Sequence, residues 1–130
     1  MKCKKKTFKL YQRIKKQLTF KNMNYTLNIK PLSINEAFKG VRYKTPKCDK
    51  FIKDVLLMLP NKIDYPDKNN VKLAIEFGFS SKACDASNHI KIFEDCLVKK
   101  YGVDDKNTYE LHIFKSIVKK GSEYIKFKIY

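Results

Sequence analysis

The chain has 130 residues, 43% of them hydrophobic, and a net charge of +16. This length fits one domain, and the apolar content is enough for a packed core, which excludes a chain disordered throughout. No apolar run reaches the roughly 18 residues that a membrane-spanning helix needs, and the charge points to a polyanionic partner, either nucleic acid or an anionic membrane surface.

Residues 1–22 hold nine Lys/Arg and no acid, and the remainder is basic by itself. We read 1–22 as a basic N-terminal extension and 23–130 as the folded domain. Phe8, Tyr11, Ile14 and Leu18 recur at helical spacing, so the extension is either a short amphipathic helix or a disordered arm. Met23 follows directly and is an alternative start. A basic segment without an apolar core and a small-residue cleavage site is not a secretory signal, so a cytoplasmic protein is expected.

The domain opens with Tyr25–Ile29, whose alternation predicts a strand. Lys30–Gly40 reads as a loop, broken by Pro31 and turned at Gly40. Lys44–Pro60 predicts a helix, with Thr45 as N-cap, Pro46 in the first helical position and Phe51, Val55 and Met58 or Leu59 on its apolar face. Ile63–Asn70 is a turn-rich link. Val71–Ser80 alternates through Val71, Leu73, Ile75, Phe77 and Phe79, as in a half-buried strand.

Ser87–Lys100 predicts the second helix, with Ile90, Phe93, Leu97 and Tyr101 on one stripe, Asp85 or Ser87 as N-cap and Gly102 at its end. Thr108–Val118 and Glu123–Tyr130 predict two strands turned near Lys120-Gly121 as a hairpin. The order strand, helix, strand, helix, strand, strand fits an α+β domain of two layers, with a mixed four-stranded sheet and two helices on one face. Cys3, Cys48, Cys84 and Cys96 form no CxxC pair and have no paired histidines at metal spacing, so reduced thiols are expected.

The acidic residues around the second predicted helix carry two readings. In one, Asp85 is an ordinary cap and Asp104-Asp105 an ordinary turn, with Lys91 a solvated helix residue. In the other, carboxylates on a basic surface hold a hard divalent cation beside a phosphodiester, because a bound metal reverses the repulsion between carboxylate and phosphate.

At these residues the chain resembles the RusA family of Holliday-junction resolvases, which carries D-x-D-N-x-x-K, then a helix, then D-D. Here the blocks are Asp85-Ala86-Ser87-Asn88-His89-Ile90-Lys91 and Asp104-Asp105. Ile29–Thr45 is similar to the family's Pro-x-Ser-x-Asn opening and basic loop, and the likeness runs from about Tyr25 to Ile129. The resemblance implies a RusA-like fold and a homodimeric, Mg²⁺-dependent endonuclease of branched DNA, with Mn²⁺ as a substitute. It implies no membrane partner and no small-molecule substrate.

Carried over residue by residue, the resemblance makes Asp85 and Asp105 metal ligands, with Asp104 and Ser87 at the same metal. Asn88 orients the site, and Lys91 holds the scissile phosphate or the attacking water. Arg42, Lys44, Lys47 and Lys91 are the expected DNA contacts, and Tyr43 and Phe38 are aromatic residues able to stack on opened bases. One position departs from the pattern: Ser87 stands where the family has its second aspartate. A hydroxyl is a weaker ligand, so the alternative is a junction-binding protein with weakened or lost cleavage. Outside this class stand a plain DNA-binding protein and a membrane-peripheral protein anchored through its extension.

The predicted helix is about 20 Å long at about 1.5 Å per residue. If Asp85 and Asp105 stand at its opposite ends, one subunit cannot bring both to one metal, and a two-fold dimer is expected to build each site from two subunits.

Overall fold

The computed structural model describes residues 25–40, 43–63 and 65–130. The N-terminal extension and Arg42 lie outside the described residues. The described chain forms β1 (Tyr25–Leu27), the one-turn helix α1 (Ile34–Ala37), β2 (Phe38–Lys39), β3 (Tyr43–Lys44), α2 (Pro46–Met58), β4 (Val71–Phe79), α3 (Ile90–Tyr101), β5 (Thr108–Ile117) and β6 (Tyr124–Ile129). Two single 3₁₀ turns, Ala86–Asn88 and Asp105–Asn107, bracket α3.

The four main strands form one mixed sheet in the order β1-β6-β4-β5. β4 and β5 are parallel, and α3 supplies the crossover that parallel neighbours require. β6 runs antiparallel to both β4 and β1. The expected hairpin between the last two strands is therefore not formed. The chain leaves β5, turns through Gly121 at positive φ, and places β6 on the far side of β4. β4 is the most apolar strand, and it lies inside the sheet with a hydrogen-bonded neighbour on each edge. Ala74 and Glu76 are buried along with Leu73, Ile75 and Phe77, which corrects the half-buried expectation.

The helices begin and end where side chains satisfy their free backbone groups. Thr45 accepts from Cys48 N at 3.2 Å and donates its hydroxyl to Glu36 O at 2.8 Å, with Pro46 opening α2. Cys48, Phe51 and Val55 form the buried face of α2, and Leu59 follows it into the core while Met58 stays exposed. α3 buries Ile92, Phe93, Cys96 and Leu97, and ends at Gly102 in the left-handed conformation that glycine adopts without strain. Lys100 Nζ donates to Leu56 O at 3.0 Å and Tyr101 OH to Pro60 O at 2.6 Å, tying the ends of the two helices together.

Both helices share one apolar cluster with Leu73, Ile75, Phe77, Ile125 and Phe127. Phe93 meets Phe127 edge-on, with ring centroids 5.3 Å apart. Side chains alternate across a strand, so Glu76, Tyr124, Lys126 and Lys128 fall on the other face of the sheet. Cys48, Cys84 and Cys96 are free thiols, and burial pushes the Cys96 thiol up to about 12.

The stretch Lys30–Gly40, read from sequence as a loop, is partly organised. Ser33 caps α1 by accepting from Glu36 N at 3.2 Å, and β2 and β3 make a two-stranded ribbon through Phe38–Lys44 and Lys39–Tyr43. Among the described residues no helix is long and apolar enough to cross a membrane.

Candidate functional site

The acidic stretch is built on the entry to α3 and the exit from it. Asp85 does not cap α3, which starts at Ile90 rather than Ser87. Asp85 caps the 3₁₀ turn before it, its Oδ1 accepting from Ser87 N at 3.1 Å and from Ser87 Oγ at 2.8 Å. These bonds, the hydroxyl first, hold the Asp85 carboxyl below its ordinary value, with Lys115 and His89 adding to the effect. Asn88 takes part in the same turn through its backbone N–H, which donates to Asp85 O at 3.2 Å.

Two residues not singled out by sequence fix this turn to the core. His89 is buried against Phe79, with ring centroids 4.6 Å apart, and its Nδ1 lies 2.6 Å from Asp85 O. A carbonyl can only accept, so His89 Nδ1 carries the proton in that bond. Lys115, on β5, donates to Lys82 O at 2.8 Å and also to Cys84 O. The spacing of four between Asp85 and His89 is visible in the sequence, whereas the contact from Lys115 depends on the parallel pairing of β5 with β4.

At the other end, Asp104 Oδ1 accepts from Lys106 N at 3.2 Å and caps the turn that presents Asp105. Lys91 Nζ donates to Asp105 Oδ2 at 3.1 Å and stands 3.2 Å from Asp95 Oδ1. The Lys91 bond is the main cause that holds the Asp105 carboxyl below its usual range, and the two carboxylates in turn raise the Lys91 ammonium. Asp95 was missed from sequence, although its i,i+4 spacing from Lys91 is the ordinary helical signal for such a pair.

Lys91 is in the first turn of α3 and Asp105 lies beyond its last residue. Their contact means that the chain after Gly102 runs back beside the N-terminal half of the helix. Helix length alone therefore does not fix the separation of Asp85 from Asp105. Glu94 also faces this region. Burial raises its carboxyl, and the negative charge of Asp105 raises it further, against the opposing pull of Lys91.

Among the described residues no three His, Cys, Asp or Glu side chains gather as a ready metal cluster. Mg²⁺ takes only one or two protein carboxylates and keeps several waters. By that chemistry Asp85 and Asp105 are suitable donors: both are exposed and both are held in the ionised form. The Ser87 hydroxyl is directed to Asp85, so its role in this structure is to position that carboxylate.

Of the expected DNA contacts, Lys44 and Lys47 are exposed, and Lys47 is paired with Glu36 at 2.6 Å. Tyr43 is 78% exposed, whereas Phe38 packs against the core. The two aromatic residues of the basic loop thus separate into one available for stacking and one used for packing.

An α+β domain whose crossover helix carries a lysine held between carboxylates is the class that fold and site define. No protein-family model matches the chain. No curated protein matches it.

Proposed function

We propose that the chain is a Mg²⁺-dependent endonuclease with a RusA-like fold that acts as a homodimer on four-way or branched DNA. The observation that supports this reading is the bond between Lys91 and Asp105. It joins the two separate blocks of the family-like pattern, which the sequence alone leaves 14 residues apart. The net charge of +16 supplies the attraction for a phosphate backbone.

In this reading Asp85 and Asp105 hold the cation, and Asp104 and Ser87 support them. A bound Mg²⁺ would supply charge stabilisation at the phosphate and a more acidic water. Lys91 exchanges a carboxylate for a phosphate oxygen when DNA arrives and keeps the scissile group in register. Asn88 and His89 hold the turn that aims Asp85. Lys44, Lys47 and Arg42 contact the phosphate backbone.

A second reading is favoured by the bond from Ser87 to Asp85. A hydroxyl stands where the family has a carboxylate, and it donates to Asp85 instead of adding negative charge. On that reading the chain binds junctions and cleaves them weakly or not at all. Incubation with a synthetic four-way junction and with linear duplex, in Mg²⁺ and in Mn²⁺, separates the two. Junction-selective cleavage supports the nuclease, junction-selective binding without cleavage supports the second reading, and equal affinity for both DNAs removes both.

A further inference from the structure

Away from the acidic residues, the segment that follows β1 runs beside α2 and leaves a groove against it. Ile29, Pro31 and Leu32 line the groove from that segment, and Phe51 lines it from α2. Lys47, Lys50, Phe51 and Asp54 follow one another at helical spacing, so they share one stripe of α2, and all four line the groove. Its volume is about 130 Å³. An apolar cavity of about 150 Å³ takes one benzene ring. The rim carries Lys30, Lys47 and Lys50 against Glu36 and Asp54, a surplus of one positive charge. Lys47 bonds to Glu36 at 2.6 Å and Lys50 to Asp54 at 2.8 Å, while Lys30 is exposed.

We propose that this groove binds an acidic peptide segment of a partner protein. One aromatic side chain of that segment seats on Ile29, Pro31, Leu32 and Phe51, and flanking carboxylates meet Lys30, Lys47 and Lys50. Two observations favour a peptide over a nucleic-acid strand. Bases stack on open aromatic faces, and Phe51, the aromatic residue of the lining, is only 6% exposed. Glu36 and Asp54 repel a phosphate backbone, whereas a peptide brings backbone N–H groups that each carboxylate can accept once its lysine turns to the partner. The surplus charge on the rim, in a chain of +16, selects an acidic segment over a basic one. The buried ring supplies most of the affinity, and the charges select the partner. The inference goes beyond the nuclease reading and does not need it. Asp85, Lys91 and Asp105 do not line the groove, and Lys47 alone is shared with the proposed DNA contacts.

The test titrates the full chain with a fluorescein-labelled peptide in which one phenylalanine stands among aspartates, read by fluorescence anisotropy. Alanine in place of the peptide's phenylalanine should weaken binding at least about tenfold, the scale of one buried ring. Lys30→Glu and Lys50→Glu should each weaken it severalfold, and added salt should narrow that difference. Both lysines are exposed, so these changes leave the core intact. Amide NMR of the isotope-labelled wild-type chain locates the site without any variant: the peptide should shift Ile29, Leu32 and Phe51, and a single-stranded oligonucleotide should leave them unmoved. No binding, equal binding of both peptides, or peptide shifts confined to other surfaces would overturn the site. An oligonucleotide that moves the same three amides would also overturn it and assign the groove to nucleic acid. Junction cleavage is assayed separately, so failure of the groove leaves the nuclease reading standing, and loss of cleavage leaves the groove.

Discussion

Lys91 Nζ stands 3.1 Å from Asp105 Oδ2, although the two residues lie at opposite ends of a helix and its following turn. Both side chains are around half exposed, so solvent screens the pair and it adds little to stability. Its consequence is positional: it draws the Asp104-Asp105 turn back along α3.

Replacing Lys91 with Met should raise the Asp105 carboxyl toward the ordinary carboxylate range, because the main cause of its depression is removed. A depressed carboxyl contributes stability above its unfolded value and loses it as pH falls through the folded one. The variant should therefore titrate at higher pH by carboxyl NMR while losing almost no stability at pH 7. On the proposed function, junction cleavage should fall about 10²-fold or more, as when a donor to the reacting phosphate is removed. An unmoved Asp105 titration would mean that the bond does not persist in solution.

Ser87→Ala should raise the Asp85 carboxyl, since the hydroxyl is the first cause of its low value. Ser87→Asp should raise it further in the absence of metal, because a like charge replaces a donor. If the site binds Mg²⁺ as proposed, the same Ser87→Asp change should tighten binding by calorimetry and increase cleavage, whereas Asp85→Asn should abolish cleavage and leave junction binding equal or stronger. Cleavage by Asp85→Asn at the wild-type rate would remove Asp85 from the mechanism.

Glu94 gives the opposite pH dependence. Its carboxyl is raised by burial and by Asp105, so its contribution to stability is full below the unfolded value and is lost as pH rises through the folded one. Glu94→Gln should raise the thermal midpoint at pH 7 by a few degrees and leave it nearly unchanged near pH 4. Equal shifts at both pH values would assign the effect to packing.

On the far face of the sheet, Tyr124 OH donates to Glu76 Oε2 at 2.9 Å, while Oε1 is buried without a hydrogen-bond partner among the described residues. A Cβ on Gly78 would lie 2.5 Å from Cε1 of the same tyrosine ring. Gly78→Ala should cost about 1–3 kcal/mol by overpacking. Tyr124→Phe should cost about 1–3 kcal/mol by leaving the carboxylate without its donor. In the double variant Gly78→Ala/Tyr124→Ala the penalty for the added methyl should largely disappear. Additive losses in urea melts would mean that the ring and the glycine do not interact.

Lys44 and Lys47 should differ as DNA contacts, because Glu36 partly neutralises Lys47. On the proposed function, Lys44→Ala should reduce the slope of log affinity against log salt by about one, whereas Lys47→Ala should reduce it by less. Glu36→Gln should tighten binding. Equal slopes for both lysine variants would show that the Glu36 pair opens on binding.

Local chemistry was enough to locate the main elements. Thr45-Pro46 starts α2 and Gly102 ends α3 because capping and left-handed turns need only neighbouring residues. The alternation of Val71 to Phe79 identifies a strand whatever lies beside it. Sequence also determined the charge and the order of the acidic residues.

Strand order was left to the tertiary structure. A turn at Lys120-Gly121 suits a hairpin as well as a link past the end of β4, and pairing both edges of the apolar β4 inside the sheet settles the choice. The same holds at the site. The sequence gives Asp85, Lys91 and Asp105 as separate residues, and only the packing of the returning chain against α3 makes Lys91 and Asp105 a pair. Long-range contacts of this kind depend on where apolar faces are buried, and no local spacing encodes that.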